Sequence, residues 1–106
     1  MKIGIILETK EPEKAWNAFR FANTCVSKAH EVQVFLMGEA VECEQIQHET
    51  YNVPEQMNKF LEADGVLYAC GTCIKSRQLE DKTACPISTM NDAIKLVEWA
   101  DKVVTF

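Results

Sequence analysis

With 106 residues, 47% of them hydrophobic and 25% charged, the chain has the size of one soluble domain with a modest core. Its net charge of −5 comes with dispersed basic residues, which argues against nucleic acid as a main partner, since phosphate binding needs a concentrated positive surface. No apolar run nears the roughly 20 residues that span a bilayer, and Met1–Glu8 lacks the length and cleavage pattern of an export signal, so no membrane partner is expected.

Lys2 to Glu8 is short and rich in isoleucine, as a buried parallel strand requires. Pro12 suits a first helical turn. Ala15, Phe19, Ala22, Val26 and Ala29 then recur at helical spacing, which predicts a helix over Glu13 to Ala29. Glu31 to Met37 reads as a second strand, ended by Gly38. In the stretch from Glu39 to Gln47, Ala40, Cys43 and Ile46 share one face of a short helix, and His48 to Tyr51 reads as loop. Asn52 and Glu55 form a capping box for a helix with Met57, Phe60 and Leu61 facing in, and Asp64-Gly65 stops it. Val66 to Ala69 is a third strand.

Ile74 to Leu79 reads as a short helix and Glu80 to Lys82 as a charged turn. Ala84 to Ser88 is a short extended piece interrupted by Pro86. Thr89 and Asp92 cap a last helix whose expected inner face is Ala93, Ile94, Val97 and Ala100, and Lys102 to Phe106 is a final strand. Strands alternating with helices imply an α/β fold, with a mostly parallel sheet of about five strands and helices on both faces. In such sheets the reactive crevice lies beyond the carboxyl ends of the strands.

Ala69-Cys70-Gly71-Thr72-Cys73-Ile74-Lys75 follows directly on the third strand. A thiol between a strand end and a helix start is favoured as a thiolate, and Lys75 and Arg77 add positive charge. Gly71 lets the backbone turn sharply. Cys73 lies one helical turn from Cys70, within reach for a disulfide, and could resolve a persulfide or sulfenic acid on Cys70. The plain alternative is that both are small buried hydrophobes.

The other three cysteines carry weaker expectations. Cys85, beside Pro86, is a third redox thiol, a metal ligand or turn filler. Cys43 borders the crevice, and Cys25 sits among core-facing helix residues and is expected to be inert. Five cysteines is an odd number without the spacing of a secreted disulfide scaffold, so a reducing cytosol is expected.

His30 ends the first helix, where a cation suits the dipole. His48 reads as a solvated loop histidine, with base or ligand as the sharper option, and Trp16 and Trp99 read as packing or interface residues. Glu8 either hangs over the crevice or is simply exposed. One Cys-x-x-Cys without a second pair is a weak zinc signal. Neither a phosphate-binding glycine loop nor a serine hydrolase signature is present. No cofactor and no metal are expected.

Tyr68-Ala69-Cys70-Gly71-Thr72-Cys73-Ile74-Lys75-Ser76-Arg77, after the third strand of a small α/β chain, resembles the DsrE/DsrF family of sulfur-relay proteins. Lys2–Leu7, Phe35–Val41 and Ala100–Phe106 extend the likeness across residues 1–106, although only the cysteine segment is specific. The resemblance implies one flavodoxin-like three-layer domain that often forms homotrimers or hexamers. It also implies that Cys70 takes sulfane sulfur as a persulfide from a donor protein and passes it to an acceptor. Many relatives have glycine after the arginine. Here Gln78 stands there, which bears on how tightly the chain turns.

Two other readings compete. One is a dithiol oxidoreductase using Cys70 and Cys73; strand, Cys-x-x-Cys and helix fit it, whereas the closing helix and strand do not. The other is a binding or assembly module with structural or zinc-binding cysteines.

Overall fold

Five strands form one parallel sheet in the computed structural model, which describes residues 1–83 and 85–106. They are β1 (Lys2–Leu7), β2 (Glu31–Leu36), β3 (Val66–Cys70), β4 (Ile87–Ser88) and β5 (Lys102–Thr105). The order across the sheet is β4-β3-β2-β1-β5, and each described pairing is parallel. The helices are α1 (Pro12–Ser27), α2 (Val53–Glu62), α3 (Gly71–Ser76) and α4 (Met90–Trp99). Of the extended piece expected over residues 84–88, Ala84 lies outside the described residues.

Strand alternation separates the two faces. Ile3, Ile5 and Leu7 of β1 point into the core shared with α1 and α2, where Phe19 and Phe60 meet edge to face at 6.3 Å. Burying a side chain of this size is worth roughly 1.5–3 kcal/mol. Gly4 points the other way, against α4. A Cβ placed there would sit 2.5 Å from Leu96 and 3.2 Å from Ala100, so the missing side chain is what lets α4 lie close on β1.

The expected inner face of α4 needs correcting. Ala93 and Leu96 are buried, while Ile94 is 57% and Val97 46% exposed. The helix carries two apolar stripes at helical spacing, and α4 turns in the one that matches Gly4.

Gly38–Gln45 is a 3₁₀ segment. The face expected of Ala40, Cys43 and Ile46 follows a three-residue period, which is that of a 3₁₀ helix and not of an α-helix. Ala40 and Cys43 are buried, and Ile46 is half-buried.

Of the two expected capping boxes, Thr89 and Asp92 form both halves, Asn52 and Glu55 form the forward half with Glu55 meeting the Asn52 side chain, and Glu11 caps α1 without having been expected. Glu11 accepts from the N–H groups of Glu13 and Lys14 ahead of Pro12, and Asn52 accepts from the Glu55 N–H at 3.1 Å. Asp92 accepts from the Thr89 N–H at 2.9 Å. At their other ends α1, α2 and α3 all finish with a left-handed residue: Ala29 (φ 66°), Asp64 (φ 63°) and Gln78 (φ 54°). The residue after each donates back into the last turn, His30 to Cys25, Gly65 to Phe60 and Leu79 to Ile74. These are Schellman turns closed without glycine at the strained position. The turn at Gln78 is therefore as tight as a glycine would make it.

Candidate functional site

β3 ends at Cys70, which pairs in register with Ser88 of the two-residue edge strand β4. Because β4 is so short, the carboxyl edge of the sheet stays open beside it. A groove of about 580 Å³ lies there, bounded by Cys70 to Cys73 on one side and by Ile87 to Asn91 on the other. Gly71 makes its close approach to β4 possible. A Cβ there would lie 2.9 Å from Ile87 Cγ2 and 3.1 Å from the Ser88 carbonyl oxygen. Space, not an unusual φ, is thus what requires glycine at this point, since Gly38 is the glycine with positive φ.

Cys70 is the N-cap of α3 and Cys73 its third residue. Both line the groove, but unequally. Cys70 is only 3% exposed and Cys73 half-buried. The Cys73 sulfur accepts a hydrogen bond from the Gly38 N–H at 3.2 Å. Burial pushes the Cys73 thiol up, the Gly38 N–H opposes it, contact with the Cys70 thiol raises it again, and Arg77 pulls it down; the balance is upward.

Arg77 does not stand free beside Cys70. Its Nε donates to Glu42 Oε2 at 2.9 Å, and its Nη1 reaches the Cys73 carbonyl at 3.3 Å. Glu42 also pairs with Lys10 at 3.4 Å. The Arg77 hydrogen bond holds the Glu42 carboxyl below its ordinary value. α3 has six residues, so its aligned peptide dipole is small. Lys75 is exposed.

Gly38 and Glu42 were missed as site residues. Gly38 lies 35 positions from Cys73 and Glu42 lies 35 from Arg77 and 32 from Lys10, so no local spacing could reveal them. The one available signal was a glycine at the carboxyl end of a strand next to the cysteine strand.

The remaining candidates fall elsewhere. Cys85 Sγ donates to Glu44 Oε1 at 3.1 Å, and burial first, then Glu44, pushes its pKa up to about 12. Cys43 faces the Thr9 carbonyl at 3.7 Å, and burial raises it likewise to about 12. Neither is a nucleophile at neutral pH. Burial also raises Cys25.

His48 is exposed, and its Nδ1 accepts from the backbone N–H groups of Thr50 and Tyr51, which ties a turn. Glu8 is exposed. His30 lies beyond the end of α1, with its Nδ1 2.7 Å from the amino terminus. Trp16 packs on Tyr51 at 5.2 Å and under Arg20. Among the described residues no three His, Cys, Asp or Glu side chains gather closely enough to hold a metal ion. No helix among them is long and apolar enough to cross a membrane.

Comparison with known proteins adds to this geometry. The chain is 35% identical to the uncharacterised protein MJ0989 of Methanocaldococcus jannaschii, over the whole of both chains. It is 31% identical to the uncharacterised protein MK0008 of Methanopyrus kandleri, over 89% of this chain and 83% of that one. In structure it resembles the ychN protein of E. coli with a TM-score of 0.86 at 23% identity, covering both chains fully. A protein of unknown function, BT1422 from Bacteroides thetaiotaomicron, follows at 0.82 and 13%, over 99% of this chain and 94% of that one. These two likenesses bear on the fold alone. All of residues 1–106 match the DsrE/DsrF-like family, and the chain belongs to it.

Proposed function

We propose that the protein carries sulfane sulfur as a persulfide on Cys70, taking it from a donor and passing it on within a sulfur relay. The observation that carries this reading is a thiol at the carboxyl end of β3, facing an open groove, in a chain of the DsrE/DsrF-like family. Sulfur transfer needs a nucleophilic thiol that donor and acceptor can approach and no bound cofactor; Cys70 is almost fully covered, and the groove it lines is the approach to its sulfur. A reducing cytosol, where thiols stay free, suits such a carrier.

Partner contact has support in the same place. The groove wall includes Ile87 and Met90, both exposed, and the outward stripe of Ile94 and Val97 continues it along α4. Apolar residues grouped at a groove are what a protein contact would cover. This reading includes donor and acceptor proteins and self-association as a trimer or hexamer.

The test is intact-mass spectrometry after exposure of the reduced protein to inorganic polysulfide. The Cys73→Ser variant should gain one sulfur atom that maps to Cys70, and the Cys70→Ser variant should lose that gain. If Cys70 stays unmodified while iodoacetamide labels it after unfolding, the carrier reading fails.

A further inference from the structure

The two groove cysteines stand in the N-cap and third positions of one helix, as Thr89 and Asp92 do in α4. In α4 those side chains come within 3.3 Å of each other. The capping box works because these two positions face each other over the first helical turn. The Cys70 and Cys73 thiols are close enough to interact, Cys70 raising the thiol of Cys73, and a bond between them requires Cα atoms about 4.4–6.8 Å apart.

Accessibility gives the pair an order. Cys70 is almost fully covered, so the inner sulfur of a persulfide there is enclosed. Cys73 is the more open of the two, and the Gly38 N–H aimed at its sulfur offsets part of the burial that raises its thiol, favouring the negative charge needed for attack. The nucleophile nearest a sulfur-loaded Cys70 is thus part of this chain.

We propose that Cys73 resolves the Cys70 persulfide and releases its outer sulfur as sulfide. This rests on the reading that Cys70 bears the sulfane sulfur. The Cys73 sulfur attacks the inner sulfur of Cys70–S–SH. A Cys70–Cys73 disulfide bond forms, and the bond to the outer sulfur breaks. That sulfur leaves with the electron pair as hydrosulfide, and the Cys73 proton goes to solvent. The sulfane sulfur is reduced to sulfide while the two protein thiols end as a disulfide, so the step itself needs no outside oxidant or reductant. A dithiol reductant then returns both cysteines to thiols by exchange. In this form the protein is a persulfide reductase as well as a carrier.

The experiment treats the reduced full chain with one equivalent of inorganic tetrasulfide, desalts it, and follows mass and free sulfide over time. Wild type should lose two hydrogens and release sulfide one-for-one with the disulfide, and a dithiol should restore the starting mass. Cys73→Ser and Cys73→Ala should both keep the added sulfur, with a lifetime at least about tenfold longer, because the attacking group held in place is gone. Wild type that keeps its sulfur as long as the variants, with no internal disulfide, overturns the proposal and leaves the carrier reading intact. Variants in which Cys70 never takes up sulfur defeat the carrier reading itself, and the resolving step with it.

Discussion

The backbone N–H of Gly38 points at the sulfur of Cys73 across 3.2 Å, joining the end of β2 to the cysteine segment after β3. Gly38 reaches this pose at φ 58°. A Cβ there would meet nothing nearer than the Glu8 carbonyl oxygen at 3.6 Å, so space is not the constraint and the left-handed backbone is. Gly38→Ala should therefore destabilise the fold by about 1 kcal/mol through conformation alone. Any shift of the N–H should also slow alkylation of Cys73. Urea unfolding and the iodoacetamide rate at Cys73 check the two effects; unchanged values in both would refute the coupling.

Four of the five thiols should separate by reactivity and by pH. Iodoacetamide at pH 8 should label Cys73 first and Cys70 more slowly, leaving Cys43 and Cys85 unlabelled until the chain unfolds. Burial raises Cys43 and Cys85 from the ordinary 9.0 to about 12, so the native state keeps both protons where the unfolded chain loses them. Their stabilising contribution is complete below pH 9.0 and drains away as the pH climbs toward about 12. The melting temperature should fall across that window, and less steeply in Cys85→Ala. Peptide mapping and thermal melts provide the readout.

Gln78 holds the left-handed position at the end of α3 that glycine fills without strain. Gln78→Gly should raise unfolding stability by about 1 kcal/mol, since a side chain in that region costs roughly 1–2 kcal/mol. The denaturant slope should not change. A loss of stability would show that the Gln78 side chain makes a contact worth more than the strain.

The two apolar stripes of α4 should respond oppositely to mutation. Leu96 is 1% exposed and sits on Gly4, so Leu96→Ala should cost about 2–5 kcal/mol. Ile94→Gln should change the stability of an isolated chain by less than about 0.5 kcal/mol. In a self-associating protein the same change should instead lower the mass seen by size-exclusion light scattering. A large loss of monomer stability from Ile94→Gln would contradict the orientation of α4.

Periodicity and capping residues made the strand–helix alternation, the parallel sheet and the helix starts at Pro12, Asn52 and Thr89 legible before any coordinates, because those signals are local. The same locality placed Cys70 at the end of a strand. Whether Ile94 or Leu96 faces inward was not legible, because both stripes have helical spacing and the choice lies with Gly4, some ninety residues away in the chain. Arg77 reads as positive charge added near Cys70, yet the fold pairs it with Glu42 and turns its remaining influence on Cys73. Tertiary structure alone decided which cysteine is covered and which is open, and which backbone N–H meets its sulfur. Solvent exposure and a partner from a neighbouring strand end depend on where separate segments meet in space, and residue order does not record that.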